Sequence, residues 1–113
     1  SMRSRYNFLE KIINFKKVSS WLDVGSGDGS LQKLILNKFN SINCLGVEIS
    51  KKLHSLSKHR NLKNFKSIND DFINLRLKNK FNLITCHGVL SKTNFSLKDF
   101  LKKSNFMIKK MDI

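Results

Sequence analysis

The chain has 113 residues, with 22 lysines and arginines against eight acids and a net charge of +14. A chain of this length can bury one hydrophobic core and not two, so we expect a single domain over 1–113, with Ser1 and Met2 read as a tag remnant. It has no apolar run of about 18 residues, so the sequence predicts no transmembrane helix. We also expect no membrane partner. No signal-peptide pattern follows the N-terminal arginines, so we expect a cytoplasmic location.

Cysteine and histidine usage predicts neither a disulfide nor a metal site. Cys44 and Cys86 lie in apolar, strand-like runs, where small buried thiols are common in a reducing compartment. The three histidines, at 54, 59 and 87, lack metal-ligand spacing.

The positive charge leaves a basic RNA-binding module open as one interpretation. Lysines outnumber arginines 18 to four and are spread along the chain, whereas proteins that read bases favour arginine forks. The acids are more localised. Five of the eight lie in three short segments, at Asp23 and Asp28, at Glu48, and at Asp70 and Asp71. This clustering predicts that these carboxylates belong to a binding site.

Helical and strand patterns alternate along the chain. Helices are predicted over 4–16, 31–39, from the Ser50 cap through Leu56, and over about 96–110. Strands are predicted over 20–24, 43–49, 65–68 and 81–86. The stripe expected to face the core is Phe8, Leu9, Ile12, Ile13 and Phe15 in the first helix, and Leu97, Phe100, Leu101, Ser104 and Ile108 in the last. Such alternation is typical of α/β proteins with a parallel sheet.

Three glycines follow the first predicted strand at alternate positions, Gly25, Gly27 and Gly29, with Asp23 two residues before them. Alternate glycines let the backbone turn tightly and approach a ligand closely, and the next helix presents free N–H groups there. A dinucleotide fingerprint would place its third glycine at position 30, which is Ser30. The motif therefore favours a different nucleoside cofactor.

The segment Asp23–Gly29 resembles motif I of the class I S-adenosylmethionine (SAM) methyltransferases. The resemblance implies a Rossmann-like parallel sheet flanked by helices, here truncated after the fourth strand–helix unit, and SAM as the cofactor. It also implies that Asp23 and loop carbonyls hold the ammonium of the cofactor's amino acid end. The other residues that this motif assigns to the cofactor are Gly25, Ser26, Gly27, Asp28 and Gly29.

Glu48 ends the second predicted strand, 25 residues after Asp23. A carboxylate at that point can accept from both hydroxyls of a ribose lying across the sheet edge, because two oxygens match a vicinal diol. NAD and SAM sites share this feature, so it does not choose between them. We assign Glu48 and the following Ile49 to the cofactor. A solvated acid in a strand-to-helix turn is the alternative for Glu48.

The segment Asn69–Phe72 follows the third predicted strand and resembles the G-D-A type segment of the same family. The resemblance implies that Asp71 accepts a hydrogen bond from the adenine amine. It also implies that Phe72 supplies either an apolar wall or a backbone N–H to the adenine ring. A routine turn and helix cap is the alternative for this cluster.

The segment Phe81–Leu90 resembles the family's F-D-L-[IV]-x-x-x-x-V-L stretch, with Asn82 where the family usually has aspartate. The resemblance places Cys86 and His87 beside the cofactor. His87 is the one candidate general base, needed only if the methyl acceptor must first lose a proton; a loop histidine bonded to backbone is the alternative. Without proline, the chain lacks the N-P-P-[YF] motif of enzymes that methylate nucleic-acid amino groups.

We therefore interpret the chain as the cofactor-binding, N-terminal part of a SAM-dependent methyltransferase, with a methyl acceptor that the sequence does not identify. A non-catalytic SAM-binding or scaffold subunit and the basic RNA-binding module are the alternatives. The family fold has further strands beyond the fourth, so strand four is expected to leave an apolar edge exposed. Either the chain is a fragment of a longer protein, or a second copy in a homodimer or a partner subunit covers that edge.

Overall fold

Four parallel strands form one sheet, with helices before, between and after them in the chain. The computed structural model describes residues 2–86 and 97–108. The strands are β1 (Ser20–Val24), β2 (Asn43–Val47), β3 (Phe65–Ile68) and β4 (Leu83–Cys86). The helices are α1 (Met2–Ile12), α2 (Ser30–Lys38), α3 (Lys51–His59) and α4 (Leu97–Met107), with 3-10 turns at Phe15–Lys17 and Phe72–Asn74. The strand order β3-β2-β1-β4, with every pairing parallel, confirms the predicted α/β fold.

The register of the strands brings the predicted site segments to one edge of the sheet. Val24 lies opposite both Val47 and Cys86, and Val47 lies opposite Ile68. The four strands therefore end side by side. The segments that follow them must emerge together, as expected for ligand sites at the carboxyl edge of a parallel sheet.

Hydrophobic cores lie on both faces of the sheet. Because side chains alternate along a strand, neighbouring Trp21 and Leu22 face opposite sides. Trp21 packs in the core formed with α1 and α2, and Leu22 in the core formed with α4 and the turn Phe72–Asn74. None of the helices in the described ranges has the length and apolar character needed to cross a membrane.

The first helix ends earlier than predicted and turns a different face inward. It stops at Ile12 instead of residue 16, because Asn14 accepts a hydrogen bond from the backbone N–H of Lys16 at 3.3 Å and so begins a 3-10 turn. The predicted stripe was partly wrong. Phe8 and Ile12 are exposed, whereas Tyr6 is buried.

The last helix also differs from its predicted stripe. Phe100 is buried as expected, but Leu97 and Leu101 are exposed, and Met107 is buried in their place. Ile108 leaves the helix and forms an isolated bridge to the chain before β4. The contact of Phe100 with the ring of Phe72, at 5.5 Å between centroids, fixes which side of α4 faces the sheet.

Two strands are shorter than predicted. The second ends at Val47 instead of residue 49, and the fourth begins at Leu83 instead of residue 81. Asn82 precedes β4 and its side-chain oxygen accepts from the backbone N–H groups of Ser19 and Ser20, at 3.1 and 3.0 Å. The residue that departs from the family pattern thus ties the start of β4 to the start of β1.

Candidate functional site

The glycine loop, residues 25–29, connects β1 to α2 at the carboxyl edge of the sheet. Gly25, Gly27 and Gly29 have φ angles of 83°, 64° and 84°, a region that glycine occupies without steric cost. The N–H of Gly25 donates to the carbonyl of Val47 at 2.7 Å, which holds the loop against β2. The tight turn predicted from the alternate glycines is confirmed.

Ser26 points into the protein at a place where β2 carries a glycine. Its side chain is buried, and a Cβ added at Gly46 would come within 2.5 Å of its Oγ. That Oγ has no hydrogen-bond partner among the described residues. The loop therefore packs on β2 through Ser26, and the close approach requires glycine at position 46.

Asp28 makes its contacts within the loop and to α3. Its carboxylate accepts from the backbone N–H of Ser30 at 3.0 Å, from the hydroxyl of the same residue, and from Arg60 Nη2 at 3.3 Å. The hydrogen bonds from Ser30 hold the pKa of Asp28 below its usual value, and the Arg60 guanidinium contributes. Contact between Asp28 and the cofactor stays a prediction.

Asp23 is buried in β1, directly before the loop, with 1% of its surface exposed. Its carboxylate accepts from Thr85 Oγ1 at 2.8 Å and from the side-chain amide of Gln32. Thr85 Oγ1 in turn accepts from Trp21 Nε1 at 2.7 Å. Burial raises the pKa of Asp23 to about 7, although the Thr85 and Gln32 hydrogen bonds oppose the rise. A cation bound nearby would favour the ionised form.

Glu48 lies on the other side of the glycine loop and is only 6% exposed, so its interpretation as a solvated turn acid is wrong. Its two oxygens accept from the backbone N–H groups of Gly27 and Ser50, each at 2.8 Å. Asn69 donates to the Glu48 carbonyl at 2.8 Å. Each carboxylate oxygen keeps a second lone pair, which a ribose hydroxyl could use. The side chain of Ile49, the next residue, is half exposed.

The segment after β3 forms a capped 3-10 turn. Asp71 accepts from the backbone N–H of Ile73 at 3.2 Å, which is the capping role foreseen as the alternative. The ring of Phe72 is 2% exposed and packs in the core, so its predicted role as an apolar wall for adenine is wrong. Its backbone N–H as an adenine contact stays a prediction. Lys103 of α4 donates to the Phe72 carbonyl and fastens this segment to the fold.

The remaining assigned residues lie at the end of β4. Cys86 is half-buried and pairs in register with Val24 at the start of the glycine loop. His87, the candidate base, lies outside the described residues. In the two described ranges, no three His, Cys, Asp or Glu side chains form a group that could hold a metal ion.

Sequence reasoning missed three residues of the site, Gln32, Thr85 and Arg60. Gln32 is fully buried in the apolar side of α2, and Thr85 interrupts an apolar strand, so a polar residue in an apolar pattern was the available signal. Arg60 donates from Nε to the carbonyl of Asp28 at 2.6 Å. Its signal was weaker, since it is one of four arginines among 22 basic residues.

Comparison with known proteins decides the family. A family model described as a methyltransferase domain matches residues 1–111. The chain belongs to this methyltransferase family. The family expected from the glycine motif and the later segments is thereby confirmed. No curated protein sequence matched the chain.

Solved methyltransferase structures share the fold. An S-adenosylmethionine-dependent methyltransferase from Clostridium acetobutylicum ATCC 824 is 25% identical, with a TM-score of 0.76 over 97% of this chain and 47% of its own. The sugar N-methyltransferase KedS8 from Streptoalloteichus sp ATCC 53650 is 17% identical, with a TM-score of 0.78 over 96% and 45%. The plantazolicin methyltransferase BamL, solved with SAH, is 17% identical, with a TM-score of 0.80 over 96% and 47%. This chain spans less than half of each.

Proposed function

We propose that the chain binds SAM at the carboxyl edge of its sheet and supplies the cofactor site of a methyltransferase. The observation that carries the proposal is the pair of buried carboxylates, Asp23 and Glu48, placed on either side of the glycine loop. Membership of the methyltransferase family supports it, as does the SAM dependence of the solved relative from Clostridium acetobutylicum.

The chemistry of these donors and acceptors fits SAM better than a dinucleotide. SAM carries an ammonium and a ribose diol, which are hydrogen-bond donors for two carboxylates. NAD would instead bring a diphosphate to the loop, and a phosphate close to the buried Asp23 carboxylate is repelled in a medium of low dielectric constant. Asp23 therefore favours the cationic cofactor.

The described residues of the site bind and orient the cofactor. Bound SAM supplies an electrophilic sulfonium methyl group. Glu48 fixes Gly27 and the start of α3, so that the loop and the ribose acceptor are held in one geometry. Asp23 places a carboxylate at the end of β1, where it can hold the amino acid end. Such positioning contributes to rate because an in-line transfer needs donor and acceptor aligned before reaction.

We also propose a reducing, cytoplasmic location for the protein. The support is Cys44, which is buried in the core between the sheet and α1–α2. Burial raises the pKa of this thiol well above its usual value, so it is an inert apolar side chain.

Calorimetric titration of the purified chain with SAM, SAH and NAD tests the proposed function. We expect saturable binding of SAM and SAH and much weaker binding of NAD. NAD binding as tight as SAH binding would contradict the proposal. Binding of SAH without turnover of any acceptor would favour the non-catalytic subunit, and submicromolar, sequence-selective RNA binding without SAH binding would favour the basic RNA-binding module.

A further inference from the structure

Arg60, the residue after α3, reaches across to the glycine loop. Its backbone N–H donates to Ser57 at 3.2 Å and so ends the helix. Its guanidinium makes three contacts to the loop and the start of α2. Nε donates to the carbonyl of Asp28 at 2.6 Å, and Nη2 donates to Ser30 Oγ at 2.9 Å and to the Asp28 carboxylate at 3.3 Å.

These contacts constrain the backbone that the cofactor must meet. Because a trans peptide points its C=O and N–H in opposite directions, holding the Asp28 carbonyl towards Arg60 turns the N–H of Gly29 away from it. That N–H lies 3.4 Å from the carbonyl of Ser26. A Cβ at Gly29 would lie 3.1 Å from Arg60 Cδ, so the arginine packs directly on the loop.

The loop is therefore held from both ends of α3. Glu48, before the helix, accepts a hydrogen bond from the N–H of Gly27. Arg60, after the helix, donates to the carbonyl of Asp28, the residue that follows Gly27. The three acceptors match the fixed fork of a guanidinium. The three donors of a lysine ammonium all leave from one nitrogen and lack that planar geometry.

We propose that Arg60 is a positioning residue that holds the glycine loop in the conformation that binds SAM. This inference rests on the proposed function, since the loop conformation matters through its ligand. Arg60 acts through Asp28 and Gly29 and does not itself contact the cofactor.

The test compares Arg60→Met and Arg60→Lys with a matched control, Lys58→Met, which removes an exposed cation two residues earlier on α3. By calorimetry with SAH, we expect Arg60→Met to bind about tenfold more weakly, Arg60→Lys to recover part of that loss, and Lys58→Met to bind like the unsubstituted chain. Unchanged SAH affinity in a folded Arg60→Met variant would overturn the inference.

Hydrogen exchange without ligand separates the two proposals. We expect the amides of Gly27 and Gly29 to exchange faster in Arg60→Met, while the amides of β1 keep their protection, which a general loss of stability would not allow. If the unsubstituted chain fails to bind SAH, the proposed function fails, and the exchange comparison still decides whether Arg60 holds the loop. If Arg60→Met does not fold, SAH affinity and amide exchange are both measured on Arg60→Lys instead. Values of both quantities equal to those of the unsubstituted chain would then contradict the inference.

Discussion

At the residue scale, Asp23 is a buried carboxyl group, and its proposed ligand is the ammonium group of SAM. Its pKa of about 7 is raised mainly by burial; Glu48 adds to the rise and Arg5 opposes it. The free protein therefore holds this carboxyl partly protonated near neutral pH. An ammonium bound beside it would stabilise the ionised form, so cofactor binding below about pH 7 should release a proton.

We accordingly expect SAH affinity to rise between about pH 6 and about pH 8 and to level off above that range. Calorimetry in buffers of different ionisation enthalpy would count the released proton. Asp23→Asn should bind SAH weakly and show no pH dependence in this range. An unsubstituted chain whose SAH affinity does not change with pH would contradict the role given to Asp23.

The same pKa also affects stability without ligand. Because the folded chain binds this proton more tightly than the unfolded chain, the contribution of Asp23 is present below about pH 4 and is lost as pH rises through about 7. Thermal melts of Asp23→Asn, set beside those of the unsubstituted chain, should lack this fall.

Glu48 is the second buried carboxylate of the site. Glu48→Ala removes the acceptor of the Gly27 and Ser50 N–H groups and the proposed acceptor of the ribose hydroxyls. We expect SAH binding to weaken by about 1.5–3 kcal/mol, the usual value of hydrogen bonds to a charged acceptor. Circular dichroism should confirm that the variant is folded, and Glu10→Ala, an acid on α1, should leave SAH affinity unchanged. Unaltered affinity in folded Glu48→Ala would restrict Glu48 to a structural role.

At the scale of elements, Asn82 sets the register between β1 and β4. Its side-chain oxygen accepts from two backbone N–H groups, and its amide donates to Ser19 Oγ at 3.1 Å. Asn82→Ala leaves both N–H groups without this acceptor, and we expect a loss of about 1–2 kcal/mol in the free energy of unfolding. Asn82→Asp keeps the acceptor and should lose much less. Urea unfolding that ranks the two variants equally would contradict this account.

The strands were predictable from the sequence because short apolar runs bounded by polar residues are typical of buried strands in a parallel sheet. Helix limits and faces were not. α4 has apolar residues on more than one side, and contact with the ring of Phe72 in the same core accompanies burial of Phe100 while Leu101 stays exposed. α1 ends early because Asn14 competes for the backbone, a choice that helix periodicity does not show.

The glycine motif, Asp23 and Glu48 could be found from the sequence because their chemistry follows directly from strand ends. The roles of Thr85 and Arg60 could not, because each depends on a partner far along the chain, and that of Gln32 depends on how α2 packs beside Asp23, nine residues earlier. Thr85 meets Asp23 across 62 residues, and Arg60 meets Asp28 across 32. Phe72 was misjudged for the same reason, since its burial depends on α4.

At the scale of the whole molecule, the outer edge of β4 is the feature that bears on self-association. β4 pairs with β1, and within residues 2–86 and 97–108 no strand covers its other side. Nearby α4 exposes Leu97, Leu101 and Phe106. A sheet edge that no described strand covers, beside exposed apolar side chains, favours pairing with another backbone.

We therefore expect the chain to self-associate, most simply as an isologous dimer through β4. Sedimentation over a range of concentrations should show the dimer, and Leu101→Lys on α4 should shift the equilibrium towards monomer, whereas Leu56→Lys on α3 should not. A clean monomer at high concentration would show that this edge needs no partner.

The central claim is that SAM binds where β1 and β2 end, and amide chemical shifts in a titration of the isotope-labelled chain with SAH test it most directly. We predict that the largest changes fall on the glycine loop, residues 25–29, and on Glu48, Ile49 and Asp71, with α1 and the amino ends of the strands unaffected. Changes concentrated away from the carboxyl edge, or no saturable change at all, would contradict it.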